Sequence, residues 1–427
     1  MSEAPPTAPG AALSGLRVLD MTRILAGPWA TQILADMGAE VIKIERPGEG
    51  DDTRSWGPPN LSDAEGRDRS AAYFHAANRG KRSVAVDMAR PEGQRVLRAL
   101  AAQSDVVVEN FKVGGLAKYG LDYVSLAKVK PDIVYCSITG FGQTGPYADR
   151  AGYDFLVQGM GGLMSVTGQP DGAPGAEPMK VGVALTDLLT GLYAVIGILS
   201  ALRHRDATGE GQHVDMALLD VQVATLANQA MNYLATGTAP GRLGNAHPSI
   251  VPYQVFAASD GHVILAVGND GQFARFCDVA GAPGLAADPR FATNPGRVRH
   301  RDVLVPILQG LISGRTMDDW IEALSAAHVP VGPINTIDRV FADPQVIARG
   351  MRTEPETPEG HRLVGVASPI KMSRTPPIPP RAAPTLGADT RTVLGRLLDP
   401  TDFDLDGLMA DGTLGRENAP FNAGDEQ

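Results

Sequence analysis

The sequence predicts an α/β protein whose first two hundred residues form a doubly wound sheet. Short apolar strand patterns alternate with amphipathic helical ones, which calls for parallel strands joined by helical crossovers. The 427 residues include 49 glycines and 33 prolines, about a fifth of the chain, against an average usage of about 12%, so turns and loops are many. From about residue 206 a second, smaller α/β pattern begins.

Leu16–Asp20 (LRVLD) reads as the first buried strand. The loop Met21 to Gly27 leads into a helix opening at Pro28, a favoured early helical residue, with Trp29, Ile33, Leu34 and Met37 on about one face. Gly38 ends that helix, and Val41–Glu45 (VIKIE) is the next strand. Pro91–Ser104 repeats the helical pattern, and Asp105–Val108 and Ile133–Ile138 are further strands. In such sheets ligands bind beyond the carboxyl ends of the strands. Val181 to Leu202 is apolar apart from Asp187 and small polar residues. It is long enough to span a bilayer, but it stands alone and carries Asp187, so it reads as a buried core helix. His213–Met216 is a strand, followed by an Ala-rich helix to about Ala235 and a Gly/Pro-rich linker, Thr236–Pro248. Tyr253–Phe256, the turn Asp260-Gly261 and His262–Val267 predict a hairpin. Helices are expected near Phe273–Val279, Val303–Ile312, Asp318–Ala327 and Arg391–Leu398, with short strand-like stretches at Arg362–Val366 and Ile370–Met372.

With 38 basic and 48 acidic residues the net charge is −10, which argues against a general nucleic-acid surface. Two cysteines, Cys136 and Cys277, fit a reducing, cytoplasmic setting. No CxxC or Cys/His cluster suggests zinc. Met1 to Leu13 has no basic region or apolar core, so it reads as a tail and not a signal peptide.

Gly140-Phe-Gly142-Gln-Thr-Gly145 matches GxGxxG after a strand. A dinucleotide site would need a helix at once and an acidic residue about twenty positions on. Pro146-Tyr-Ala-Asp-Arg comes next instead, so a ligand-touching loop or a plain turn is expected, and no NAD. GxSxG, GxxxxGK[ST] and HExxH are absent, so neither a serine hydrolase elbow nor ATP use is supported. Asp187, in Val-Ala-Leu-Thr-Asp-Leu-Leu-Thr-Gly, has two readings. One is a helix-start carboxylate favoured by the macrodipole; the other is a carboxylate nucleophile shielded from water. Gly268-Asn269-Asp270-Gly271-Gln272 is either an ordinary turn or a flexible lid with glycine hinges. Arg46, Lys81, Arg82 and Lys118 fall after strands or near helix starts, where they could hold an anionic, phosphate-bearing ligand or simply be solvated.

Several segments together resemble one family. They are Asp20-Met-Thr-Arg-Ile-Leu-Ala-Gly-Pro, Gly38-Ala-Glu-Val-Ile-Lys-Ile-Glu-Arg-Pro, Asn78-Arg-Gly-Lys-Arg-Ser-Val, Val108-Glu-Asn-Phe and Ser137-Ile-Thr-Gly-Phe-Gly-Gln-Thr-Gly-Pro. Tyr153-Asp154, Thr186-Asp187 and the 268–272 loop complete the set. Over about Leu13 to Leu398 the chain resembles the class III CoA-transferases, the CaiB/BaiF family. The resemblance implies a Rossmann-like large domain, a small α/β domain and an interlocked homodimer. On this chain that gives a disordered tail (1–13), the large domain (14–215), a linker (216–248) and the small domain (249–340). A second linker (341–360), a C-terminal return to the large domain (361–400) and a tail (401–427) complete the chain.

The resemblance also implies that CoA, as acyl-CoA, is a substrate, with no metal, NAD or ATP. By position Asp187 is the catalytic aspartate, passing through an aspartyl-acyl anhydride and an aspartyl-CoA thioester. Arg46, Asn110, Phe111 and Lys118 would contact CoA, Leu25 and Tyr153 would line the acyl site, and Gly268, Asn269, Asp270, Gly271 and Gln272 would be the lid. The segments Asp51-Asp-Thr-Arg-Ser-Trp-Gly-Pro-Pro and Asn245-Ala-His-Pro-Ser-Ile-Val-Pro-Tyr-Gln look most like succinyl-CoA:dicarboxylate CoA-transferases. Arg23 and His247 are candidates to pair a second carboxylate. The alternatives are a 2-methylacyl-CoA racemase, whose relatives carry a histidine where this chain has Tyr153, and a formyl/oxalate-type transferase, whose relatives carry His-Val-Gln in place of Arg23-Ile24-Leu25. No nucleic-acid or membrane partner is expected.

Overall fold

A computed structural model describes residues 10–62, 68–356 and 362–415. It divides into two compact units. The first comprises the described residues of Met1–Gly162, Gly182–Ala227 and Pro344–Gln427; the second comprises Leu163–Val181 and Asn228–Asp343.

The first unit is built on six parallel strands: β1 (Arg17–Asp20), β2 (Glu40–Glu45), β3 (Arg82–Ala85), β4 (Val106–Glu109), β5 (Val134–Thr139) and β6 (Gln212–Ala217). Their order is β3-β2-β1-β4-β5-β6, the doubly wound arrangement in which the chain reverses direction between β1 and β4. The central strands are apolar runs, such as Val106-Val-Val, because both faces are covered. One face packs on α1 (Ala26–Asp36) and α3 (Leu185–Thr208), with Leu34, Val108, Cys136 and Ile198 in the core. The other packs on α2 (Pro91–Ala102), with Leu19, Ile42, Leu97 and Val107 in the core.

Strand β3 and the strand Val331–Pro333 have no sequence-based counterpart, because each is a short segment whose pairing only the assembled sheet supplies. Residues 10–13 are not a tail: the Leu13 amide donates to Met37 O at 2.9 Å and its side chain packs on the core. Nor is 401–415, where Leu405–Ala410 is helical, Phe403, Leu408 and Leu414 are buried, and Leu414 bridges to Val86. The remaining parts of those two stretches, 1–9 and 416–427, lie outside the described residues. The 216–248 stretch is not one linker. β6 and the helix Leu218–Ala224 belong to the first unit, whereas Asn228–Thr236 is a separate helix in the second. The expected single helix breaks at Ala227, whose φ of +48° leaves the helical region. The Ile370–Met372 stretch is not a strand, while Gly365–Val366 pairs with Arg352–Thr353.

Helix α3 is not buried all round. Thr190, Gly191, Ala194, Ile198 and Ala201 face the core, while Leu192, Tyr193, Ile196 and Leu199 are exposed.

The second unit has an antiparallel sheet of β7 (Tyr253–Ala257), β8 (His262–Ala266) and β9 (Val331–Pro333), in the order β9-β8-β7. Phe256, Phe273, Phe276 and Trp320 form its core. Leu163–Val181, expected in the large domain, joins this unit through backbone bonds such as Gly244 N to Gly168 O at 3.0 Å.

Candidate active site

A cavity of about 490 Å³ opens beyond the carboxyl ends of β1, β4 and β5, where the strand order reverses. The loops leaving those strands supply its walls: Arg23, Ile24 and Leu25 after β1, Asn110 and Phe111 after β4, and Thr139 and Gly140 at and after β5. Lys118, Arg150, Gly152, Tyr153 and Asp187 also line it. Thus Arg23, Leu25, Asn110, Phe111, Lys118, Tyr153 and Asp187, far apart in sequence, line one cavity. Arg46 is not among the lining residues; its guanidinium pairs with Glu49 at 2.9 Å in solvent.

Asp187 lies in the first turn of α3, yet its own carboxylate does not cap the helix. The carboxylate of Asp154 does that work. Its Oδ1 accepts from the amides of Thr186 (2.8 Å) and Asp187 (3.3 Å), and its Oδ2 accepts from Gln158 Nε2 (2.7 Å). Those amides are among the four that a helix N-terminus leaves without an intrahelical acceptor. Burial, and then the neighbouring Asp154 charge, push the Asp187 carboxyl up to about 7. A carboxylate that is poorly solvated, near a like charge and not engaged in capping is poised to react. Tyr73 lies within electrostatic reach of the same pair: burial first, then Asp187 and Asp154, raise its phenol.

The wall after β1 is a tight turn. Ile24 has φ of +71°, a left-handed conformation that costs a β-branched residue roughly 1–3 kcal/mol. Beneath it runs a fully buried ionic network. Lys43 Nζ donates to Asp51 Oδ2 (2.8 Å) and to Thr22 O (2.9 Å), and Lys81 Nζ donates to Asp20 Oδ2 (3.0 Å). Burial opposes each charge, but the charge and hydrogen bond of Lys43, together with the bonds from the Thr53 amide and hydroxyl, outweigh it and hold Asp51 below its ordinary value. Lys81 and Lys43, with the hydroxyls of Thr22 and Thr31, likewise outweigh burial and hold Asp20 at about 2.

Gly140 and Gly152 explain part of the glycine motif. A Cβ on Gly140 would stand 2.5 Å from the Gly152 Cα, so two backbone segments of the wall touch where no side chain fits. Gly142 and Gly145 have φ of +86° and +90°, and no helix begins after them until Asp154.

These features match known proteins. The model for CoA-transferase family III matches residues 13–390. The chain is 56% identical to the succinate–glutarate CoA-transferase of Agrobacterium fabrum, over 90% of this chain and 95% of that one. It is 42% identical to the succinyl-CoA:glutarate CoA-transferase of Mus musculus, over 94% and 90% of the two chains. The crystal structure of a CaiB/BaiF family protein from Brucella suis superposes with a TM-score of 0.80 at 53% identity, covering 91% of this chain and all of that one. The chain belongs to CoA-transferase family III. It is an enzyme of that class, acting on acyl-CoA and carboxylic acid substrates.

The cavity of this CoA-transferase is lined by cations set against aromatic rings. Lys118 stands 4.6 Å over the Tyr119 ring, and Arg150 sits 4.5 Å over Tyr147 and 5.2 Å over Phe141. Cations held against aromatic rings at a cavity wall can meet phosphate oxygens. Arg23 is shared between Asp52 (3.1 Å) and the Phe111 ring (5.7 Å). Sequence reasoning missed Arg150, Tyr73 and the capping role of Asp154. For Asp154 a signal existed in its pairing with Tyr153, but the partner amides lie 32 and 33 residues away.

The remaining candidates belong to the second unit. Gly268–Gln272 opens the helix Asp270–Val279. Asn269 caps it by accepting from Gln272 N (2.9 Å), and Gln272 Oε1 accepts from Gly268 N (2.6 Å). Asp270 pairs with the fully buried Arg297 at 2.8 Å. His247 Nδ1 accepts from Ser249 N (3.0 Å), which makes it a turn former. Among the described residues, no group of three or more His, Cys, Asp or Glu could hold a metal ion.

Proposed function

We propose that this CoA-transferase moves CoA from succinyl-CoA to a dicarboxylic acid such as glutarate, with Asp187 as the covalent carrier. The observation that carries the mechanism is the division of labour at α3: Asp154 caps the helix, so the Asp187 carboxylate faces the cavity uncommitted. Asp187 attacks the donor thioester carbonyl, forming an aspartyl-acyl anhydride and releasing CoA thiolate. The thiolate attacks the aspartyl carbonyl, giving an aspartyl-CoA thioester and the free donor acid. The acceptor carboxylate attacks that thioester, regenerating thiolate and a new anhydride. Thiolate attack on the acceptor acyl carbon then releases the product and frees Asp187. One thioester is exchanged for another, so no external energy source is required.

The dicarboxylate reading is supported by the names of the relatives, both of which use succinate or succinyl-CoA and glutarate. Tyr153 on the cavity wall offers a phenol where racemisation would need a second base. The test is an acceptor panel with succinyl-CoA as donor, read by thioester mass. Glutarate or another C4–C6 dicarboxylate should head the panel. Preference for formate or oxalate would overturn the reading, as would deuterium uptake at the α-carbon of 2-methylacyl-CoA without acceptor. Trapping with hydroxylamine should modify Asp187 alone.

We also infer that the enzyme is an interlocked homodimer. The exposed Leu192, Tyr193, Ile196 and Leu199 on α3 form an apolar face that water alone would cover poorly.

A further inference from the structure

We propose that Asn110 is a positioning residue, and that its side chain acts on the chain's own backbone and not on CoA. The proposal rests on the CoA-transferase reading of the cavity. Position in the family motif makes Asn110 a CoA contact, but the geometry gives its amide another task. Its Oδ1 accepts from Arg23 N at 2.9 Å, and its Nδ2 donates to Arg23 O at 2.7 Å. The amide therefore grips the backbone of one residue from both sides, as a neighbouring strand would.

The gripped residue immediately precedes Ile24, whose φ is +71°. A β-branched side chain leaves that conformation readily unless its surroundings over-determine it. They do so here from two directions. On the β4 side stands Asn110. On the β2 side, Asp51 Oδ1 accepts from Ile24 N at 3.3 Å, and Lys43 Nζ reaches both Thr22 O and Asp51. Thr22, Arg23 and Ile24 are thus each tied by a backbone group.

The turn matters because it delivers the chain into α1. Leu25 is the N-cap of that helix and has no side-chain bond of its own to it. Four residues on, Trp29 packs against Gly191, one turn beyond Asp187; a Cβ on Gly191 would stand 2.8 Å from Ala26 O and 3.0 Å from Trp29. The start of α1 and the start of α3 therefore meet without slack. Holding the turn fixes how far the Leu25 wall stands from the Asp187 carboxylate.

The test is a double-mutant cycle of Asn110→Ala and Ile24→Gly, read by kcat and KM for CoA transfer and by thermal midpoint. Glycine adopts positive φ without strain, so it makes the clamp unnecessary. Asn110→Ala in the native background should lower kcat/KM by about tenfold or more, mainly in kcat, and in the Ile24→Gly background by less than about threefold. The midpoint loss should shrink in the same way. Equal losses in both backgrounds would mean that Asn110 acts by touching CoA and would overturn the proposal. So would an Asn110→Ala enzyme indistinguishable from the native one. Asn110→Asp, which keeps the acceptor for Arg23 N but sets an oxygen against Arg23 O, repeats the cycle if the alanine variant does not fold. Folding restored by Ile24→Gly would support the clamp, and failure in both backgrounds would sink it. A native enzyme that transfers no CoA would refute the functional reading instead, while the melting arm still reads the coupling between the two residues.

Discussion

Asp187 shows how much one carboxylate depends on its neighbour. Its carboxyl is raised to about 7 by burial and then by Asp154. Only the ionised form is a nucleophile, so kcat/KM should climb with pH through about 7. Asp154→Asn removes one of the two causes, and the rising limb should move to lower pH while the amide oxygen still caps α3. A limb that stays in place would assign it to another group. Glu109, raised to about 7 by burial against its bonds to Ser137 and the Phe111 amide, is a second carboxyl titrating there. The same shift has a stability consequence. A carboxyl raised in the folded state favours folding in its protonated form, and that contribution is lost as pH rises from about 4 through about 7. Asp187→Asn should therefore abolish transfer and yet melt higher than the native enzyme at pH 8, by roughly 1–3 kcal/mol, with the difference vanishing near pH 4. Calorimetry at the two pH values checks it.

At the scale of elements, the site is a product of close approaches. Gly191→Ala should push α1 from α3 and destabilise the enzyme by about 1–3 kcal/mol, since the new Cβ would meet both Ala26 O and Trp29. Denaturant unfolding would measure that loss, and an unchanged midpoint would mean that the helices can part freely. The buried Lys43–Asp51 pair makes a sharper prediction. Asp51→Ala takes from the buried Lys43 ammonium its directly bonded carboxylate beneath the Ile24 turn, and breaking such a buried pair costs about 3–5 kcal/mol, whereas truncating the solvent-exposed Arg46–Glu49 pair should alter stability by less than about 1 kcal/mol. Much of this was legible in outline. The strand–helix alternation places β1, α1 and β2 because their apolar patterns are local. What was illegible is contact between loops. Nothing in the segment around Gly140 says that its partner is Gly152, and GxGxxG therefore resembled a nucleotide motif while serving a backbone crossing.

The whole molecule carries an apolar face on α3 that the sequence pattern had assigned to the core. Composition reports that the helix is apolar all round, but not which covering is supplied by the same chain. If a second protomer covers it, light scattering should give about twice the 44.9 kDa chain mass. Ile196→Asp should then shift the enzyme toward monomer or aggregate, and a native monomer at micromolar concentration would refute the interlocked dimer. Ile196 is an exposed position on the far side of α3 from the sheet, so the substitution tests assembly with little change to the core.

By itself the sequence determined the α/β class, the order of most elements and, through its resemblance to a family, the choice of Asp187 as the candidate carrier. These come from patterns within a dozen residues or from motifs whose residue types are unusual. Only the tertiary structure decided that Asp154 caps the Asp187 helix, that Asn110 is spent on the Arg23 backbone, and that Leu163–Val181 belongs with the second unit. Each depends on a hydrogen bond between groups tens of residues apart. A side chain's chemical type states what it can bond to, and only the fold states which partner stands within 3 Å.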